Sequence, residues 1–192
     1  MSVLEIAQIG EPVLREQAIP VAQDEIQTPA IQSFVDDLIE TMRDANGAGL
    51  AAIQVYRSIR ICAVDVRAPN PRYPYMPAIP LTVMINPEIT PLSEEMFDNY
   101  EGCLSVPNIR GLVKRYVEIK LRYFDRSAQV QEQVIKGISA GVYQHECDHL
   151  DGKLFLDKVA DPNTLTTWDN FERHHQTEFF KQAEAIVRQY GS

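Results

Sequence analysis

The chain has 192 residues, of which 45% are hydrophobic, so it is long enough to bury the core of one domain. Its 18 basic and 27 acidic residues give a formal net charge of −9, which argues against direct, sequence-independent binding to a nucleic-acid backbone. No apolar run approaches the roughly 20 residues of a membrane-spanning helix, and the first residues lack the pattern of a secretory signal.

The first half of the chain predicts one amphipathic helix and two strands. The helix begins near Thr28-Pro29, a cap residue followed by proline, and apolar residues at helical spacing run on to Asn46-Gly47. A segment of small residues follows, where another backbone could approach closely. The remaining elements that we expect are a strand over 59–66, a proline-rich loop over 68–80, and a strand over 81–85 that Asn86-Pro87 ends.

The second half predicts a strand pair, a central helix and a tail. Apolar and charged residues alternate over 117–123, which is typical of a half-exposed strand, and 129–135 is expected to pair with it. The other predicted elements are a helix over 138–150, a short strand over 154–156 and an amphipathic helix over 167–189. The pattern favours an α+β fold, with mainly antiparallel strands packed around the central helix, plus a C-terminal helix.

The central helix carries the most informative motif of the chain, His145-Glu146-Cys147-Asp148-His149. In this H-E-x-x-H pattern, His145 and His149 lie on one face of the helix and can bind one metal ion. Glu146 can then hold and deprotonate a water molecule. We therefore predict a metal-dependent hydrolase, in which Glu146 is the catalytic base and not a ligand.

A catalytic site of this kind needs a third protein ligand and an open position. The aspartates downstream of the motif lack a distinctive pattern, and His174-His175 fits a surface or packing role. Cys103 is the better candidate, because it lies in a turn-like segment beside Gly102, and a thiolate with two imidazoles suits several late first-row metals. A buried, purely structural cysteine is the alternative for Cys103.

Residues near the motif suggest a substrate pocket. Ile138 and Val142 lie about two turns and one turn before His145, on the same side of the helix, so they could line an apolar pocket. Gly141 would leave room there, and an unbranched thioether would fit. Gly49 and Gly102 would let an extended substrate backbone approach. Ordinary core packing is the alternative for Ile138 and Val142.

Three segments together resemble the signature motifs of the peptide deformylase family, in order and at similar spacing. They are Gly-Ala-Gly-Leu-Ala-Ala-Ile-Gln over 47–54, Glu-Gly-Cys-Leu-Ser over 101–105 and Gln-His-Glu-Cys-Asp-His-Leu over 144–150. The resemblance covers roughly residues 3–156. It implies a deformylase-like catalytic domain over 1–160, with the helical tail over 161–192 as part of the same domain.

The resemblance implies a cytoplasmic enzyme, or an organelle-matrix enzyme whose transit peptide was removed. It would remove the formyl group from N-formylmethionyl nascent chains and release formate. It further implies that Cys103, His145 and His149 hold Fe(II), with zinc, nickel or cobalt in some preparations. The formyl oxygen would meet the backbone N–H of Leu104 and the side-chain amide of Gln54, and Arg110 would lie near the substrate chain. For Arg110, a solvated surface charge is the alternative.

Other interpretations remain open from the sequence. A zincin-type endopeptidase would share the motif helix but use another third ligand. A structural zinc module or an inactive relative would not need Glu146 or Gln54. We expect a monomer or weak dimer, whose tail could dock on the body or touch a ribosome. Cys147 is expected to pack away from the metal, although proximity to Cys103 would permit oxidation. Glu101 could orient a neighbouring group.

Overall fold

The computed structural model describes residues 2–67 and 75–192, and within these ranges it has four α-helices and eight strands. The helices are α1 (Pro29–Asp44), α2 (Gly137–Leu150), α3 (Trp168–His174) and α4 (Gln176–Tyr190). The strands are β1 (Gly49–Ala51), β2 (Ile61–Val66), β3 (Ile79–Pro91), β4 (Met96–Cys103), β5 (Val106–Tyr116), β6 (Glu118–Phe124), β7 (Val130–Lys136) and β8 (Thr166–Thr167). The predicted α+β class is confirmed.

The strands form two antiparallel sheets. The larger has the order β1-β2-β3-β6-β7, and the smaller has the order β4-β5-β8. The predicted pairing of β6 with β7 is confirmed by a continuous register from Glu118 opposite Lys136 to Phe124 opposite Val130. The long hairpin of β4 and β5 dominates the smaller sheet, and only Leu104 and Ser105 separate its strands.

Two helices cover the opposite faces of the five-stranded sheet. Helix α1 begins after Thr28 with proline at its first position, and it buries one apolar face that includes Val35 and Leu38. These side chains pack against residues of β2 and β3 such as Ile61 and Ile85. Helix α2 packs on the other face, where Ala140 and other apolar residues meet Cys62, Val64, Met84, Ile119 and Leu121.

Helix α2 is buried on nearly every side, because the smaller sheet contacts it opposite the larger one. All of its residues except His145 and Asp148 are buried. A helix in such a position cannot present a polar face to solvent, so each polar side chain that it carries must find a partner inside the protein. This position places the H-E-x-x-H motif in the interior, facing the β4–β5 hairpin.

The tail forms two helices, although the sequence pattern predicted one over 167–189. The break is at His175, where φ and ψ are −124° and −29°. Phe171, Phe179 and Ala183 are buried against a cluster that includes Phe97 of β4. The tail also reaches the start of the motif helix, because the backbone N–H of Ile138 donates to the carbonyl of Ser192 at 3.0 Å.

Several other expectations about elements were wrong. Strand β3 does not end at Asn86-Pro87 but continues to Pro91, because a register shift between Ile85 and Glu88 accommodates these residues, with Asn86 at a φ of +52°. The segment predicted as a short strand over 154–156 instead leads into a 3₁₀ helix, Phe155–Lys158. The hairpin of β4 and β5 was not predicted. Cys103, which was expected in a turn-like segment, is the last residue of β4.

Part of the predicted proline-rich loop over 68–80 lies outside the described residues, and its last two residues belong to β3. Within the described ranges, no helix combines the length and the apolar composition needed to cross a bilayer.

Candidate metal centre

Three predicted ligands meet where the β4–β5 hairpin contacts α2. Cys103 is the last residue of β4, and His145 and His149 lie one turn apart on α2. Their ligand atoms all lie within 4.8 Å of one another, and Cys103 Sγ is 3.3 Å from His149 Nε2. Cys103 and His149 are buried, and His145 is nearly so. This group could hold a metal ion.

The donor chemistry fits a metal ion of the kind that thiolates and imidazoles bind. Burial opposes ionisation of Cys103, but the neighbouring His149 and His145 outweigh it and hold the pKa of the thiol well below its usual range. The thiolate is the form of cysteine that binds metals. One thiolate with two imidazoles suits late first-row divalent ions.

A chain of buried charges orients His145. Its Nδ1 lies 2.8 Å from Glu101 Oε2, which leaves Nε2 for a ligand. Arg115 donates to both oxygens of Glu101 at 2.7 Å, and its third nitrogen donates to Asp148 at 2.5 Å. Burial acts to raise the pKa of Glu101, but Arg115 and His145 hold it well below the usual range. The expectation that Glu101 contacts and orients a neighbour therefore agrees with this geometry.

Glu146 is buried beside the three donors, and its Oε2 has no hydrogen-bond partner among the described residues. Burial raises its pKa to about 7, a trend that Cys103 supports and the two histidines oppose. A buried carboxylate oxygen without a protein partner is costly unless a water or ligand meets it. A carboxyl group that titrates near neutral pH can both accept and return a proton.

Gly49 makes room for that carboxylate. A Cβ atom built on Gly49 would lie 2.4 Å from Glu146 Oε1, a distance that real Cβ contacts do not show. At Gly49, strand β1 passes so close to the Glu146 side chain that no Cβ fits between them. The close approach of Glu146 therefore favours glycine at position 49, a packing constraint that the sequence did not reveal. This constraint is in addition to the predicted place of Gly49 beside the substrate.

The side chain of Gln54 points its amide nitrogen at the metal-binding group. Its Oε1 accepts the N–H of Ala51 at 2.8 Å, so the NH₂ group faces the other way. Nε2 donates to Ser105 Oγ at 3.0 Å and lies 3.5 Å from Cys103 Sγ. Leu104 follows Cys103 directly, so its backbone lies at the same place.

These residues surround one cavity. The predicted site residues that line it are Gly49, Gln54, Gly102, Cys103, Leu104, Gly141, Val142, His145 and Glu146. Lining residues that the sequence did not indicate include Tyr75, Met76, Asn99 and Tyr100. The aromatic residues Phe171 and Phe179 of the tail pack on Tyr100, with ring centroids 5.1 and 5.7 Å away.

Two predicted pocket residues have other surroundings. Ile138 is not among the described residues that line the cavity; it packs with Phe97 and Phe179, so the core alternative describes it. The missing side chain of Gly141 leaves space for the hairpin, because a Cβ there would lie 3.2 Å from Phe97 Cζ and 3.3 Å from Asn99 Nδ2.

The solvated alternative for Arg110 is wrong. Arg110 is 2% exposed, and its guanidinium carbon lies 3.8 Å from the ring centroid of Trp168 and 4.7 Å from that of Phe171. Arg110 is also not among the described lining residues of the metal-centre cavity. Trp168 and Phe171 of the tail cover it.

The remaining motif residues have clear partners. Asp148 accepts from Arg115 and lies 3.3 Å from Lys158 Nζ. Cys147 is buried on the side of Cys62, and a hydrogen bond with Cys147, together with burial, raises the pKa of Cys62. Cys147 therefore packs into the core beside β2, as expected.

The polypeptide deformylase family model matches residues 3–164. Peptide deformylase 2 of Nostoc sp. is 48% identical over 164 residues, which are 85% of this chain and 90% of that protein. A crystal structure of a class I type b peptide deformylase from Acinetobacter baumannii, with Met-Ala-Ser bound, is 43% identical and superimposes with a TM-score of 0.79. It covers 83% of this chain and 100% of its own.

A peptide deformylase from Synechococcus elongatus, crystallised with actinonin, covers the tail as well. That comparison spans 100% of this chain and 87% of the other, at 27% identity and a TM-score of 0.74. The match of the family model extends over most of the chain, and the relatives match at well above the level of chance similarity. The chain therefore belongs to the peptide deformylase family, the hydrolases that remove the formyl group from the N-terminus of polypeptides.

Proposed function

We propose that Cys103, His145 and His149 hold one divalent metal ion, and that the chain hydrolyses the formyl amide of formyl-methionyl polypeptides beside it. The observation that carries the proposal is the approach of the three donor atoms to within 4.8 Å of one another, next to the unpaired Oε2 of Glu146. Sulfur from one sheet and two ring nitrogens from a buried helix have no evident structural reason to converge otherwise.

We infer that the ion is Fe(II), as the family resemblance implies. The same donors would accept zinc, nickel or cobalt in preparations. When bound, such an ion supplies Lewis acidity, which polarises a carbonyl and makes a water molecule more acidic.

Glu146 would carry the proton through the reaction. Its carboxylate accepts a proton from the attacking water, a new C–O bond forms at the formyl carbon, and the C–N bond breaks. Glu146 then returns the proton to the departing amine of methionine. The products are formate and a free N-terminal amino group. A pKa near 7 suits both halves of this transfer.

Gln54 and Leu104 would stabilise the charge that develops on the formyl oxygen. The hydrogen bond from Ala51 fixes the Gln54 amide, so its nitrogen already faces the reacting group. The backbone N–H of Leu104 would be the second donor. Preorganised donors of this kind are worth about 3–4 kcal/mol each in the barrier.

The methionine side chain would lie beside Val142 and Gly141, at the wall that Asn99 and Tyr100 complete. Gly49 and Gly102 would border the substrate backbone. The peptide Met-Ala-Ser bound in the Acinetobacter baumannii relative supports a peptide ligand for this cavity. The tail over 161–192 is inferred to fold in one domain with 1–160, since it buries Phe171 and Phe179 against β4.

The test is an anaerobic assay of formate release from formyl-Met-Ala-Ser, with metal analysis of the same sample. We expect turnover that depends on the ion. Glu146→Gln keeps the side-chain shape but cannot accept the proton, so it should keep the ion and lose at least about 100-fold in kcat. Near wild-type turnover by this variant would remove the assigned role. Cleavage of casein without formate release would instead indicate an endopeptidase.

A further inference from the structure

A second groove lies beside the metal-centre cavity, along the β4–β5 hairpin. Gly102, Cys103 and Leu104 line both, so the groove and the cavity adjoin the same end of β4, at the proposed metal ligand Cys103. The groove has a volume of about 230 Å³. That is smaller than the roughly 300–1,000 Å³ of sites for drug-sized ligands, so the groove has room for one or two side chains.

The wall of the groove is mainly apolar. Val106, Pro107 and Ile109 of β5 supply one side, and the tail supplies Trp168. Within the described part of the chain, the groove is lined by no acidic or basic side chain. An apolar side chain of a ligand would therefore gain most from entering it.

Contacts on its ring, its side-chain nitrogen and its backbone hold Trp168 in place. Its ring lies over the buried guanidinium of Arg110 at 3.8 Å. Its Nε1 donates to Glu172 Oε1 at 2.6 Å, and its backbone N–H donates to Asn108 Oδ1 at 3.3 Å. A rigid aromatic wall offers contact area without the loss of side-chain freedom that a mobile residue would incur on binding.

From this adjacency we propose that Trp168 is a specificity-determining residue for the peptide substrate, because it forms the wall of a subsite for apolar side chains that follow the formyl-methionine. The inference rests on the proposed function. A peptide whose formyl group lies at Cys103 must leave the metal centre along a neighbouring surface. The groove adjoins that point, and its apolar lining favours apolar side chains.

The test compares kcat/KM for formyl-Met-Leu-Leu and formyl-Met-Ser-Ser, with formyl-Met amide as a substrate too short to reach the groove. We expect the wild-type enzyme to favour the leucine peptide by about three- to tenfold, mainly through KM, as loss of one aromatic contact would suggest. Trp168→Ala should bring the ratio close to one and leave formyl-Met amide turnover unchanged. Leu165→Ala, an exposed apolar residue of the tail outside the groove, should keep the wild-type ratio.

A wild-type ratio near one would overturn the inference, and so would a Trp168→Ala ratio equal to that of the wild type. If Trp168→Ala loses formyl-Met amide turnover through misfolding, Trp168→Phe decides, because it keeps a ring and should retain part of the preference. A Trp168→Phe ratio above that of the wild type would also overturn the inference. Failure of every enzyme, wild type included, on formyl-Met amide would contradict the proposed function instead.

Discussion

Replacing Arg115 by methionine should destabilise the protein and weaken its metal site together. The side chain of Arg115 is 1% exposed, and that of its partner Glu101 is 5% exposed. Arg115→Met would remove two hydrogen bonds of 2.7 Å to Glu101 and one of 2.5 Å to Asp148, while an apolar side chain of similar length fills the space. The carboxylate of Glu101 would remain buried, and among the described residues Asn99 and His145 would be its remaining side-chain hydrogen-bond partners.

The magnitude follows from that burial. Removing one partner of a buried ion pair typically costs about 3–5 kcal/mol, because the other charge stays desolvated. The matched control is Arg122→Met, whose partner Glu88 lies 3.6 Å away, with side-chain exposures of 46% and 70%. An exposed pair of this kind contributes about 0–1 kcal/mol. The two arginines belong to neighbouring segments of the chain, so they differ mainly in their surroundings.

Urea denaturation in the presence of a chelator would measure the free energy of unfolding without the contribution of the ion. A separate chelator competition would measure metal affinity, which we expect to fall by about 10- to 100-fold, because Glu101 would no longer hold His145 in one orientation. A loss of stability in Arg115→Met no larger than in Arg122→Met would refute the reasoning. Unchanged metal affinity would show that His145 does not depend on Glu101 for its orientation as a ligand.

Three further substitutions test other parts of the site and fold. Cys103→Ala should lose the ion on dialysis, and full metal occupancy would show that the third donor lies elsewhere. Gly49→Ala places a Cβ 2.4 Å from Glu146 Oε1, so turnover should fall by about 100-fold with the ion retained, whereas wild-type turnover would mean that Glu146 can move freely. In Gly152→Ala, the new Cβ would lie 2.7 Å from the backbone oxygen of Arg15, at a residue whose φ is +69°. The free energy of unfolding should therefore fall by about 1–3 kcal/mol. An unchanged urea midpoint would contradict that strain.

The elements that the sequence predicted well are those whose burial has a simple period. Helix α1 has one apolar face, and β6 alternates, so each pattern was readable from the residues alone. The motif on α2 could be recognised because His145 and His149 are four residues apart, a spacing that places both side chains on one face of a helix. The presence of Cys103 beside both histidines followed from the family resemblance more than from its own local sequence.

The β4–β5 hairpin was missed because its buried side chains are not all apolar. Asn99, Glu101, Arg110 and Arg115 are buried there, and each breaks the alternation that would indicate a strand. The polar partners satisfy one another only after the hairpin and α2 have packed together. The contribution of Arg115 to the site was therefore hidden, although a charged residue in an otherwise regular strand pattern is a signal that could have been followed.

The break at His175 was hidden for a related reason. Apolar residues continue at helical spacing through the tail, so the pattern does not mark where one helix stops and the next turns. Only the aromatic cluster of Tyr75, Tyr100, Phe171 and Phe179, assembled from three separate regions, makes the position of the tail understandable. Contacts between residues so far apart in the sequence cannot be recognised from the local pattern of residues.

The donors come from separate layers: sulfur from the end of a strand in the smaller sheet, nitrogens from the helix seated against the larger one. An ion bound among them would link the two layers. Because only the folded state brings the three donors together, binding of the ion would add to the free energy of unfolding by mass action. At a free concentration 1,000 times the dissociation constant, that addition is about 4 kcal/mol. Removal of the ion by a chelator would then lower the unfolding temperature and the catalytic activity together, because both depend on the same three metal–ligand bonds.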